Sequence, residues 1–522
     1  MARYKPYDYG QMKLLPVSFE QQILPGTFEY TLNELIDKEV DLTVFEARYH
    51  NDETGAPAYD PAILLKIILY AYSRGITQSR EIARLCRENV VFMALSADTT
   101  PHFTTIAGFI ATLEVEIVSV YRDVLLICDE AGLIGREMFA IDGVKLPSNA
   151  SKQWSGTRAD FEKKVEKMER AVKYLVKRHR VSDASEEDEK LTTARAKQIK
   201  TLKASVAKVK GFLKDREDRR GSSGKVVKSN ITDEDSAKMK TGKGVIQGYA
   251  GVAVVDAKHQ VIVGAQAFGV GQEHALLVPM LEHTREGFRR IGEAGDVLHR
   301  AALLADSGYH SEANLEYLQT HGIDGYIADN LFRKRDPRFA SAERHRPTRP
   351  DAPWARPKAR GLFTPKDFEL DPEHRFCLCP AGKRLYRNGA NVQIRGNVGV
   401  KFRSAKRDCS GCALRERCMR NPDTSETRQV VFFLGRKQDR APSFTARMRN
   451  KIDSDEGRYR YSRRLGIVEP VFANIAAAHR LKRFSLRGRA KVNAQWQLFC
   501  LVHNIGKIQR YGKRNRSARR VH

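Results

Sequence analysis

Two short apolar runs constrain this chain more than any other feature. "MFAID" at 138–142 and "ALLAD" at 302–306 each read as a buried strand ending in an aspartate, with glycine close behind. A carboxylate leaving water at the end of such a strand carries a desolvation cost that a partner must offset. Strand ends are also where α/β sheets project side chains into a crevice. Asp142 and Asp306 on neighbouring strands would suit a hard divalent cation, which takes oxygen ligands. Taken singly, each aspartate is equally at home as a turn former or a helix cap.

The flanking segments sort by periodicity. Residues 1–130 read as helical. "DPAILLKIILYAYSRG" opens on an Asp-Pro start and closes on Gly75, as helix ends prefer. "SREIARLCRENVVFMAL" places Ile82, Ala83 and Cys86 at helical spacing. The stretch 99–132 then supplies a Pro-marked loop, a cap at Thr104 and a long amphipathic helix. Short helices with tight turns suit a helix-turn-helix-like DNA reader and an ordinary bundle alike.

In 158–216, Phe161, Val165, Met168, Val172 and Leu175 form one narrow apolar seam, and Ile199, Leu202, Val206, Val209 and Leu213 form another. An antiparallel helical hairpin buries both seams together. The period shortens to two at 244–269, giving a β-hairpin around "DAKHQ". A helix near 273–286, a strand ending at Asp306, a helix and a strand at 323–329 complete a mixed sheet. The expected organisation has four parts. Residues 1–130 form a helical N-terminal DNA-binding domain, and 131–329 the first part of an α/β core, interrupted by the hairpin at 157–220. Residues 330–455 hold a basic Arg/Pro-rich loop and a Cys-rich insertion. Residues 456–522 supply the last core segment and a basic tail.

Lys and Arg number 91 against 63 acids, a formal net charge of +28 with a pI near 9.8. Such a surface attracts polyanions, nucleic acid above all. The basic segments 333–360 and 507–520 are candidate phosphate contacts. The most apolar run, 62–72, is too short to span a bilayer and carries Lys66. Eight cysteines in 522 residues do not read as a secreted disulfide scaffold. The expected setting is the cytosol, away from membrane, and on a bacterial nucleoid if the resemblance described below holds.

Two further groups carry chemistry. Glu469 in "YSRRLGIVEPVFANIAAAHRLKRF" is one acid among Tyr461, Arg463, Arg464, His479, Lys482 and Arg483. That mixture makes sense where bases face phosphates and the acid faces metal. Pro470 behind it reads as the first turn of a helix. Cys377, Cys379, Cys409, Cys412 and Cys418 fall within 42 positions. Cys379, Cys409, Cys412 and Cys418 are the expected thiolates of a structural Zn²⁺ site, with Cys377 spare and an iron–sulfur cluster the alternative. Cys86, Cys128, Cys500 and Trp496 lie in apolar helical runs and read as core.

The motifs "IDGVKLPSNASK", "GYAGVAVVDAKHQVIVGAQ", "LLADSGYHSEANL" and "VEPVFANI…LKRFSLRGRAKVNAQWQLFCLVHNIGKI" occur in that order. With them the chain resembles the bacterial insertion-sequence DDE transposases, in particular those with a helical N-terminal domain and a cysteine cluster before the last acid. The resemblance implies an RNase H-like mixed sheet flanked by helices. It implies Asp142, Asp306 and Glu469 as a DDE triad holding two Mg²⁺ ions, or Mn²⁺, for DNA cleavage and strand transfer. Tyr461, Arg464, Lys482 and Arg483 would contact DNA, and the partners would be element ends, target DNA and a second copy of the chain. The chain departs from the pattern in two places. Four residues separate Arg464 from Glu469 where the pattern has three, and its lysine position falls on Ala476. A nuclease without strand transfer and a domesticated DNA-binding protein are the rival readings.

Overall fold

The structure is a computed structural model and describes residues 18–49, 57–182, 189–220, 224, 226–242, 244–339, 362–394, 397–433 and 443–512. The basic stretches within 340–361 and 513–522 lie outside the described residues. Contacts divide the chain into two units, Met1–Asn330 with Met448–His522, and Leu331–Arg447.

The first unit is built on one six-stranded sheet. Its strands are β1 (Met138–Pro147), β2 (Ala237–Thr241), β3 (Gly244–Asp256), β4 (Ile262–Phe268), β5 (Ala302–Ala305) and β6 (Asp324–Ile327). β1 lies in the middle. On one side it runs antiparallel to β3, from Phe139↔Asp256 to Pro147↔Gly248. On the other it runs parallel to β5, from Met138↔Ala302 to Ile141↔Ala305. β6 continues the parallel side, while β4 and β2 pair antiparallel with β3. The order β4-β3-β1-β5-β6, three antiparallel strands followed by two parallel ones, is an RNase H-like fold. β5 is buried throughout and reads ALLA, the unbroken apolar character that parallel strands covered on both faces require.

β1 differs from its reading as a strand that stops at Asp142. It continues to Pro147, because Gly143–Pro147 still have β3 to pair with. Only its parallel neighbour ends there, so Asp142 sits at the end of the parallel pairing.

The helices explain how residues distant in sequence reach this sheet. We label those used below α1 (Pro61–Ser73), α2 (Phe103–Ala111), α3 (Glu116–Glu130), α4 (Arg158–Ser182), α5 (Glu189–Asp215), α6 (Leu277–Arg290), α7 (Phe444–Asp453), α8 (Asp455–Ala473) and α9 (Arg489–Lys507). α9 is buried almost all round and packs on β4, α1 and α3. Trp496 Nε1 donates to the Val252 carbonyl at 3.0 Å. Asn504 both accepts from Ile262 N and donates to Ile262 O, each at 2.9 Å. A Cβ on Gly251 would stand 3.0 Å from the Trp496 ring, so glycine lets the indole lie on the strand. The helices of the first 130 residues therefore share a unit with the sheet.

Two local readings are corrected. The expected long helix of 99–132 is two helices, α2 and α3, that turn through 78°. His102 rather than Thr104 caps α2, and Thr112 ends it by bonding back to the Gly108 carbonyl at 2.9 Å. Pro470 does not start a helix either. α8 begins at Ser454, whose hydroxyl accepts from Gly457 N at 3.1 Å, and Pro470 lies in its last turns. A proline there cannot donate to the carbonyl four residues back. Gln260 Nε2 takes that role, bonding Gly466 O at 2.9 Å.

The hairpin of α4 and α5 forms as its seams predict, with Phe161, Val165 and Val209 meeting Ile231 in a small core of their own. Among the described residues no single helix is long and apolar enough to cross a membrane. The second unit carries a five-stranded antiparallel sheet around Phe368, Cys377, Leu385, Val400, Phe402 and Val430.

Candidate active site

Where the parallel pairing of β1 with β5 ends, the next residue on each strand is an aspartate. Asp142 Oδ1 accepts from Gly143 N at 2.7 Å, and its Oδ2 accepts from Arg464 Nη1 on α8 at 2.8 Å. Asp306 caps the short turn Ser307–Tyr309, accepting from Gly308 N at 2.7 Å. Burial pushes both carboxyls above the usual carboxylate range. Arg464 pulls Asp142 back, and the nearby charge of Asp306 pushes it up again.

A third acid stands here that the sequence reading missed. Glu273 begins the turn Glu273–Ala275 after β4, and its charge pushes Asp306 further up. One of its oxygens pairs with Lys145 Nζ of β1 at 2.6 Å. The other lies 2.1 Å from where a Cβ on Gly308 would sit, and Asp306 Oδ1 lies 2.9 Å from the same point. Both carboxylates thus flank one small volume that only glycine leaves open. Beneath them Tyr309 is fully buried, and its hydroxyl has no hydrogen-bond partner among the described residues. Burial holds that phenol protonated far above its ordinary range, reinforced by Asp142, Glu273 and Asp306.

Three carboxylates therefore face two bases, Lys145 and Arg464. Periodicity could not reveal Glu273, since an acid ahead of a helix reads as a complement to the helix dipole. Its only signal was Lys145, which stands in the same motif as Asp142.

Glu469 lies on α8 five residues past Arg464, about 140° around the helix. It is exposed. Among the described residues no hydrogen bond or ion pair ties it to the two aspartates. Of the expected DNA contacts, Tyr461 is half-buried and Lys482 exposed. Arg464 is engaged by Asp142. Arg483 donates to Ser148 O and Asn149 Oδ1, each at 3.1 Å, and so pins the loop after β1.

In the second unit, Cys379, Cys409, Cys412 and Cys418 line one small cavity. Lys383 N donates to Cys379 Sγ at 3.3 Å, and Ser404 Oγ is 2.9 Å from Cys409 Sγ. Cys377 points elsewhere, into the sheet core, where burial pushes its thiol up to about 11. Among the described residues no group of three or more His, Cys, Asp or Glu side chains is drawn together as a metal-holding cluster. Cys86, Cys128 and Cys500 are buried, as is Trp496.

Three family models match the chain in order along its length. One is described as a transposase domain and covers residues 17–112. Two are described as transposase DDE domains and cover 188–374 and 378–509. Glu273 and Asp306 fall in the second match and Glu469 in the third, while Asp142 lies between the first two. No curated protein matches the chain.

Proposed function

The chain belongs to the transposases with a DDE domain, and from that premise we propose that it moves an insertion sequence. In this reading it binds the element's terminal inverted repeats, then cuts and rejoins DNA by phosphoryl transfer that depends on a divalent cation. The observation that carries the reading is the placing of Asp142 and Asp306 side by side where their strands' pairing stops.

The residue types suit a hard cation, although among the described residues no three of these acids are drawn together into a metal-holding cluster. The donors are carboxylate oxygens, a buried hydroxyl beside them lacks a partner, and two bases leave three acids short of positive charge. Asp142 and Asp306 would hold Mg²⁺ or Mn²⁺, with Glu469 as the third acid that the sequence pattern assigns. Bound there, such cations lower the pKa of a water or a 3′-hydroxyl and offset the charge developing on the phosphate.

The chain's own groups do the positioning. Backbone N–H groups of Gly143 and Gly308 fix one oxygen of each aspartate. Arg464 is placed to exchange Asp142 for a phosphate oxygen, a geometry guanidinium favours. Tyr461, Lys482 and Arg483 would hold the flanking backbone. A homodimer engaging two element ends completes the reading.

The test is a plasmid carrying both element ends, scored for cutting and for joining. Asp142→Asn and Asp306→Asn should each abolish cleavage while DNA retention stays within a few-fold. Unchanged cutting by Asp142→Asn would sink the assignment. Cutting without joining in the unaltered protein would make it a nuclease instead.

A further inference from the structure

We propose that Glu273 is a metal-holding carboxylate of this site, a partner to Asp306 that Lys145 occupies until a divalent cation arrives. The inference rests on the cation reading of the aspartate pair and adds a ligand that neither the triad pattern nor sequence spacing supplies.

Three observations carry it. Glu273 Oε2 and Asp306 Oδ1 crowd together over Gly308, at 2.1 and 2.9 Å from where its Cβ would be, so the two carboxylates are close neighbours. Two ionised carboxylates held this close repel each other unless a cation lies near both. The remaining Glu273 oxygen is held at 2.6 Å by Lys145, itself three residues along β1 from Asp142. The ammonium is a point charge that a divalent ion replaces at lower cost than a bidentate guanidinium. Tyr309 supplies an independent sign of something missing. Its hydroxyl is buried without a partner, and its side chain reaches within 3.7 Å of where a Cβ on Gly143 would lie, beside Asp142. An unpaired buried hydroxyl is costly, and a cation-bound water or a reoriented carboxylate would satisfy it.

The competing account makes Glu273 only the salt-bridge partner of Lys145. The two separate cleanly. In the competing account, losing either partner has the same consequence. If Glu273 is a ligand, removing Lys145 frees it, whereas removing or displacing its carboxylate weakens the site.

The experiment is a calorimetric Mn²⁺ titration of the full chain without DNA, on the unaltered protein and on Asp306→Asn, Glu273→Gln, Gly308→Ala and Lys145→Met. Gly308→Ala keeps every carboxylate but puts a methyl group against Glu273 Oε2 and, less closely, Asp306 Oδ1, so it tests their position without changing their chemistry. Melting curves in EDTA check that each variant is folded. Glu273→Gln and Gly308→Ala should each weaken Mn²⁺ at least tenfold, and Lys145→Met should bind it as tightly as the unaltered protein or more so. Asp306→Asn weakened with Glu273→Gln unaffected would overturn the role of Glu273 and leave the cation reading standing. No weakening in Asp306→Asn would overturn the cation reading itself. Equal losses in Lys145→Met and Glu273→Gln would reduce Glu273 to a salt-bridge partner.

Discussion

A single residue pair shows how far a sequence can be read here. Asp142 and Asp306 were legible because each closes an apolar run, and a buried run has few ways to end in a charge. Their adjacency follows from a register that runs to Ile141↔Ala305, which no local pattern encodes. Glu273 was not legible, because a turn's path back to a strand end depends on tertiary packing. The cost of gathering these acids is itself testable. Asp306 is held above its ordinary range by burial and by Glu273, so its ionised form is disfavoured in the folded state. Stability from this group is lost, not gained, as pH rises through that raised range. Asp306→Asn keeps an acceptor for Gly308 N and removes the charge. In EDTA at neutral pH the variant should melt roughly 1–2 °C higher than the unaltered protein, a shift equivalent to about 1 kcal/mol in a unit of this size. A lower melting temperature would mean that Asp306 stabilises the fold and is not a strained ligand.

Elements were read well where one period held over many residues. The two seams of α4 and α5 meet as predicted around Phe161, Val165 and Val209, and the "DAKHQ" hairpin joins β3 to β4. Elements were misread where a side chain from elsewhere takes over a backbone group. Pro470 sits inside α8 because Gln260, some 200 residues earlier, satisfies Gly466 O. The same distinction bears on the cysteines. Their spacing pointed to four thiolates, and those four line one cavity, while Cys377 belongs to the sheet core. Among the described residues those thiols are not drawn together into a metal-holding cluster, so the structural zinc that their spacing suggests stays a proposal for metal analysis to test. Purified protein should carry about one tightly held zinc per chain, the stoichiometry of a four-thiolate site. Chelation should broaden or lower the unfolding step assigned to Leu331–Arg447. Iron in that analysis would favour the cluster alternative, and protein free of metal yet equally stable would remove the site.

Across the whole first unit, one amide ties together pieces that the sequence keeps far apart. Asn474 Nδ2, just past α8, lies 3.0 Å from His479 Nε2 and 3.0 Å from His503 Nδ1. His479 Nδ1 faces the Ser73 carbonyl at the end of α1, at 3.1 Å, and His503 Nε2 faces the Gln260 carbonyl between β3 and β4, at 2.9 Å. Every contact is satisfied when both imidazoles are neutral, each donating to its carbonyl and accepting from the amide. Burial enforces that state, pushing His479 down and His503 down to about 3, with Lys507, His479 and Arg510 adding repulsion at His503. A base whose folded pKa lies below its unfolded value takes up its proton first in the unfolded chain. The stability that depends on neutral His503 is therefore complete above about pH 6.5 and drains away as pH falls toward 3, by about 1.4 kcal/mol per pH unit. Because the network joins the N-terminal helices, the β3–β4 turn and the end of the helix carrying Arg464, that loss should loosen the whole unit together. Asn474→Asp reverses the logic, since a carboxylate only accepts and so favours protonated imidazoles. Urea unfolding between pH 7.5 and 5 should show the variant weaker at neutral pH, with a shallower decline toward acid. A pH profile that parallels the unaltered protein's would show that the histidines do not couple these elements.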